Sequence, residues 1–132
     1  MDAQQIREEL MQIKNEFLAD YKAASEKSWR EHLTKYNNGY LRPSYGRFFT
    51  SEERDAFDVR AKQYRSKAEI ILAEAKQENE GGINAVSRRM IFFAEIIQAF
   101  SLMNVTEAES GRWSGNYPAY VDHLLEISFP VS

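Results

Sequence analysis

No proline or glycine occurs before Gly39, and that absence governs how the first quarter of the chain can fold. Across it Ile6, Leu10, Ile13, Phe17, Asp20/Tyr21 and Ala24 follow one another at alternate spacings of four and three. Such spacing lines up one face of an α-helix. Uninterrupted, this helix would run from about Gln4 to Tyr36, on the order of 50 Å at 1.5 Å per residue. A compact domain of 132 residues is only about 35 Å across. The first helix is therefore expected either to break near Ser25–Ser28 or to project as part of an elongated bundle. Asn37-Asn38-Gly39 ends it, because Asn and Gly tolerate the left-handed conformation of a helix C-cap.

The connection from Asn37 to Phe49 contains Arg42-Pro43 and Tyr45-Gly46, which favour turns. It is long for a helix connection, and long loops are usually functional or disordered. Its aromatic content predicts order. Thr50-Ser51-Glu52-Glu53 then reads as a capping box, in which Thr50 accepts from the backbone and Glu53 reaches back. From there Phe57, Ala61, Tyr64, Ala68, Ile71 and Ala75 repeat the helical spacing until Gly81-Gly82 stops it.

A third helix, from about Ile83 to Asn104, is apolar around most of its circumference, with Val86, Met90, Phe92, Phe93, Ile96, Ile97, Phe100 and Met103 among its residues. A helix of that kind belongs at the centre of a fold or inside an oligomer. The turn-rich stretch Ser110–Asn116 leads into a short helical pattern from Tyr117 to Ile127, with Asn116 as its N-cap and Pro118 in the first turn, where the missing donor costs nothing. The expected fold is all-α: a single domain over residues 1–132, built as an elongated antiparallel bundle of three long helices plus a short C-terminal helix. The first two helices are expected to sandwich the third, with the short helix capping an end. The apolar surplus of the third helix predicts a homodimer through its second stripe, Phe92, Ile96, Ala99 and Met103.

The absence of cysteine removes thiol nucleophiles, disulfides, iron–sulfur clusters and Cys-ligated zinc. No apolar run approaches the roughly 20 residues of a membrane span, and the N-terminal residues lack a signal-peptide pattern. A cytoplasmic protein without membrane attachment is expected. The histidines, His32 and His123, stand far apart, and the paired Glu-x-x-His units of a di-iron bundle are missing. Gly81-Gly82 lacks the lysine of a phosphate loop. No metal or cofactor is expected.

The net charge of −3 is unevenly placed, with eight Lys or Arg against four Asp or Glu over residues 35–67. Within that basic stretch Tyr40, Arg42, Tyr45, Arg47 and Phe48 precede a helix that carries Arg54. Stacking rings and guanidinium groups serve both protein interface hot spots and single-stranded nucleic acid. Helical geometry, however, puts Arg54 and Arg65 on one side of the apolar stripe and Arg60 and Lys67 on the other, so they do not form one basic face. Arg88 and Arg89 at the start of the third helix, and Trp113 among glycines and serines, complete the candidate binding residues. Arg89 falls in the apolar arc and must snorkel or meet a carboxylate. Trp113 either plugs the bundle or awaits a partner.

These features point to a non-enzymatic protein-binding chain, an adaptor or inhibitor of the kind phages and mobile elements encode, acting through the aromatic and arginine loop. Binding of nucleic acid or a nucleotide by the same loop is the alternative. An enzyme using His123 with Asp122 or Glu126 is a second alternative with less support.

Overall fold

The computed structural model describes residues 2–36, 49–79 and 86–130, with side chains described at 2–31, 49–77 and 92–130. The described residues are helical, with no strand among them. The elements are α1 (Ala3–Tyr36), α2 (Ser51–Asn79), α3 (Val86–Ser101), α4 (Val105–Glu109), a single 3-10 turn (Arg112–Ser114) and α5 (Tyr117–Ser128). None of these helices is long and apolar enough to cross a membrane.

The first helix does not break. Its 34 residues run unbroken, because the buried stripe of Ile6, Leu10, Ile13, Phe17 and Tyr21 continues through Ser25 and Ser28, both buried. Small serines keep the stripe narrow enough for neighbours to approach. Its start carries a capping box that the apolar spacing does not reveal. The Asp2 carboxylate accepts the Gln5 backbone N–H at 2.8 Å, and the Gln5 side chain accepts the Asp2 N–H at 3.2 Å.

The box expected at α2 forms: Glu53 N–H donates to Thr50 Oγ1 at 3.1 Å, and Thr50 N–H donates to Glu53 Oε1 at 3.0 Å. The buried stripe of α2 is Phe57, Ala61, Ala68, Ile71, Leu72 and Ala75. Against α1 the contacts descend as those on α2 rise. Ser28 meets Glu53, Tyr21 meets Phe57, and Phe17 meets both Phe57 and Tyr64.

The third helix is shorter than its apolar run. At its C-terminal end it stops at Ser101, and Asn104, expected at its end, instead caps α4 by accepting the Glu107 N–H at 2.8 Å. N-capping is the stronger preference of an asparagine at such a junction. Two carbonyls just beyond α3 are taken by other elements: Trp113 Nε1–H donates to Leu102 O at 2.8 Å and Arg65 donates to Met103 O at 2.6 Å. Gly111, at φ +93°, makes the left-handed turn into the 3-10 segment. Asn116 sits at the N-cap position of α5 but makes no side-chain capping bond.

Packing departs from a simple sandwich. α1 packs chiefly on α2 and α5, and α3 likewise on α2 and α5. α5 is therefore part of the core rather than a lid: Val121, Leu124, Leu125 and Phe129 are buried in it. The stripe expected to face a second copy is largely consumed here, since Ile96, Ala99 and Met103 are fully buried within the chain and Phe92 is half-buried.

Among the described residues one charge lies inside. The Lys14 side chain is only 3% exposed and forms an ion pair with Asp122, whose side chain is 38% exposed. Its ammonium also faces the Pro118 carbonyl at 3.4 Å. The two partners are unequal, because Asp122 can be hydrated if left alone and Lys14 cannot. Asp122→Ala should therefore cost roughly 3–5 kcal/mol, whereas Lys14→Met should be close to neutral. Urea unfolding at neutral pH checks both. Equal losses would show that the pair itself, and not the stranded ammonium, sets the cost.

Candidate functional site

Of the residues singled out from sequence, Tyr40, Arg42, Tyr45, Arg47 and Phe48 lie outside the described residues. So do the side chains of Arg88 and Arg89, although their backbone belongs to α3. What the structure does describe is the ground on which the loop lands. Phe49, the residue after Phe48, is half-buried, with its ring 6.0 Å from Tyr21 and 6.2 Å from Phe57. It fixes the chain just before the Thr50 cap.

Beside Phe49 runs a groove of about 360 Å³ along the seam of α1 and α2. Ala24, Lys27 and Glu31 line one side, Glu53, Ala56 and Arg60 the other, with Phe49 and Thr50 also lining it. The two alanines leave the space, and the rim carries both signs of charge. Arg60 is held from behind. It grips Asp20 with two hydrogen bonds of 2.9 and 3.0 Å and lies 5.5 Å over the Phe57 ring. Tyr64 donates to the same carboxylate at 3.0 Å. The bond to Asp20 raises the Arg60 pKa. Burial, followed by the hydrogen bond to Asp20, raises that of Tyr64.

The arginines of α2 are not a free patch. Their ties mostly reach other elements. Arg54 makes a two-pronged ion pair with Glu109 at the end of α4, at 2.9 and 2.6 Å. Arg65 binds the Met103 carbonyl and stands 4.0 Å from Asp58.

Trp113 is a plug, 4% exposed. Its ring meets Phe17 at 5.6 Å and Tyr117 at 4.9 Å, both edge-on. On the outside of this plug is a small surface cluster that sequence reasoning did not pick out. Arg112 lies 5.1 Å over Tyr117 and pairs with Glu107 at 2.7 Å, while Tyr120 stacks at 5.8 Å from Tyr117 and donates to Glu95. The signal was present in the spacing of Trp113, Tyr117 and Tyr120, at intervals of four and three.

A row of polar atoms under α1 is also notable. The Tyr21 hydroxyl, Ser25 hydroxyl and Trp29 indole nitrogen, four residues apart, are buried without a completed hydrogen bond. Burial pushes the Tyr21 phenol above its ordinary value, an effect partly offset by the neighbouring Ser25 hydroxyl.

For catalysis and metals the described residues offer little convergence. No group of three or more His, Asp or Glu side chains able to hold a metal ion occurs among them. His123 and Glu126 are exposed, and Asp122 is engaged by Lys14. No family model, curated protein or solved structure matches the chain.

Among the described residues four phenols are held above the ordinary value of 10.0: Tyr21 and Tyr117 chiefly by burial, Tyr64 by burial and Asp20, and Tyr120 by its bond to Glu95. The folded chain keeps these protons more tightly than the unfolded chain does. Their contribution to stability is complete below pH 10 and is lost as pH rises through the raised values. Tyrosinate absorbance should thus rise at higher pH in native protein than in urea. Coincident curves would contradict these environments.

Proposed function

We propose that this chain is a non-enzymatic, cytoplasmic binding protein, an elongated antiparallel bundle of helices that presents the segment 37–49 beside the α1–α2 groove, and that its target is another protein. The observation that carries this reading is the groove itself. It opens at Phe49, where the aromatic and arginine segment rejoins the bundle, and it combines alanine-sized space with Lys27, Glu31, Glu53 and Arg60. A rim of mixed sign suits a polypeptide, whose own side chains carry both charges, better than a uniformly anionic backbone. Aromatic and arginine side chains from the segment would supply the desolvated anchors that dominate such interfaces.

The engagement of Arg54, Arg60 and Arg65 inside the molecule supports the same choice. Nucleic-acid affinity grows with the number of phosphates that unpaired cations can neutralise. Here three of the strongest candidates are already occupied. Binding through such a surface suits an adaptor or inhibitor.

The test is binding by a tagged protein from native host lysate, with and without nuclease, compared with the triple variant Arg42→Ala, Tyr45→Ala and Arg47→Ala. The wild type should retain a stoichiometric protein through nuclease treatment, and the triple variant should lose it with an unchanged circular dichroism spectrum. Ala56→Arg, which fills the groove, should weaken capture about tenfold or more, the scale of a lost interface anchor. Capture unaffected by either variant overturns the proposal. Capture abolished by nuclease shifts the target to nucleic acid.

A further inference from the structure

A second groove, of about 210 Å³, lies on another seam, between α2 and α3. Leu72 and Ala73 of α2 face Phe93, Ile97 and Phe100 of α3 across it, with Glu69 and Lys76 also lining the α2 side. Unlike the first groove, its lining is mainly hydrocarbon. Ile97 is 44% exposed, and Ile70, one helical step from Glu69, is 63% exposed. Ile97, an aliphatic side chain left this open on the wall of an apolar groove, leaves hydrocarbon for a partner to cover.

The charges say what covers it. Glu69 and Lys76 are seven residues apart, two turns along one face of α2, and Leu72 and Ala73 lie midway between them. Neither forms an ion pair among the described residues. A two-fold axis passing between Leu72 and Ala73 lays α2 antiparallel on its own copy and sets Glu69 opposite the partner's Lys76, and Lys76 opposite the partner's Glu69. An isologous contact of this type requires a self-complementary patch, and a stripe with an acid at one end, a base at the other and a small residue at the crossing is one. Ala73 at the midpoint lets the two helix backbones come close.

We propose that a second copy of this chain docks on the α2–α3 face, through Ala73 and Ile97 at the centre, above the buried Leu72, and reciprocal Glu69–Lys76 pairs at the edges. This surface is not the Phe92, Ile96, Ala99, Met103 stripe expected from sequence, most of which is spent on the chain's own core. It stands independently of the target proposed for residues 37–49. Each dimer would carry two copies of that segment, and a repeated target would then be held with the avidity of two linked sites.

Light scattering on the full chain over a concentration series decides it, using the wild type, Glu69→Lys, Lys76→Glu, the double exchange and Ile97→Asp. The wild type should reach twice the 15.4 kDa of one chain. Each single exchange turns two attractive contacts into two repulsive ones and should raise the dissociation constant about tenfold or more. The double exchange restores opposite charges across the axis and should recover the dimer, and Ile97→Asp should abolish it. All three positions are exposed, so helicity by circular dichroism should match the wild type in every variant. A wild type that stays monomeric to about 1 mM, where only negligible affinity remains, overturns the proposal. So does a dimer that survives both single exchanges, or one that the double exchange fails to restore.

Discussion

The described fold is organised around the ring of Phe17. This fully buried side chain on α1 meets Phe57 and Tyr64 of α2 at 5.8 and 6.2 Å and Trp113 at 5.6 Å. Aromatic rings each remove about 150–250 Å² from water and prefer the tilted and edge-on geometries seen here. Phe17 thereby joins elements far apart in sequence: the two long helices and the turn that introduces α5. Trp113 extends the connection, because its indole N–H must find an acceptor once buried, and the Leu102 carbonyl beyond α3 supplies it. The end of α3, the 3-10 turn and α1 are therefore placed by one cluster.

Around this cluster, long polar side chains act as ties between helices. Asp20 accepts from Arg60 twice and from Tyr64 once, so one carboxylate holds two turns of α2. Glu109 does the same for Arg54, and the Asp58 carboxylate faces the Val105 N–H at 3.4 Å. Helix ends leave carbonyls without intrahelical partners, and at the exit from α3 Trp113 and Arg65 donate to the Leu102 and Met103 carbonyls. These ties change the meaning of the basic stretch. The arginines of α2, which look like a patch in one dimension, become in three a set of struts: Arg54 and Arg60 fall opposite acids on α4 and α1, and Arg65 reaches the Met103 carbonyl.

What was legible in the sequence follows the range of the interaction involved. Periodicity and capping are local, and they were readable: the stripe of α1, the Thr50–Glu53 box and the extent of α5 all stand in the structure. The early end of α3 was not readable, because Asn104 faced two local roles and the choice between them depends on Asp58, Arg65 and Trp113, none of which is near it in sequence. Whether α1 breaks or runs on was left open by the sequence for a similar reason, and it runs on. Ser25 and Ser28 look like weak points in an isolated helix, yet buried against neighbours their small size is an advantage. Of the candidate site, the plugging role of Trp113 was among the readings, whereas Arg54 was placed correctly on α2 but its partner Glu109 was out of reach. The loop residues from Tyr40 to Phe48 lie outside the described residues.

The apolar excess of α3 illustrates how a correct premise can lead to the wrong surface. Its circumference is indeed more than two long helices cover, and from sequence alone a partner chain is the simplest cover. The chain supplies most of that cover itself: α5 is amphipathic, buries Val121, Leu124 and Leu125, and packs on α1 and α3 together. A helix needs a broad apolar arc only where neighbours flank it on two sides, and α3 has α2 on one side and α5 on the other. What remains is the narrow outward margin of that arc, where Ile97 projects beside Phe93 and Phe100 and meets the alanine gap at Ala73. The residual exposure is thus a consequence of geometry, since two helices in contact cannot close the outer side of their own seam, and it is there that the stripe of α2 changes from acid to base.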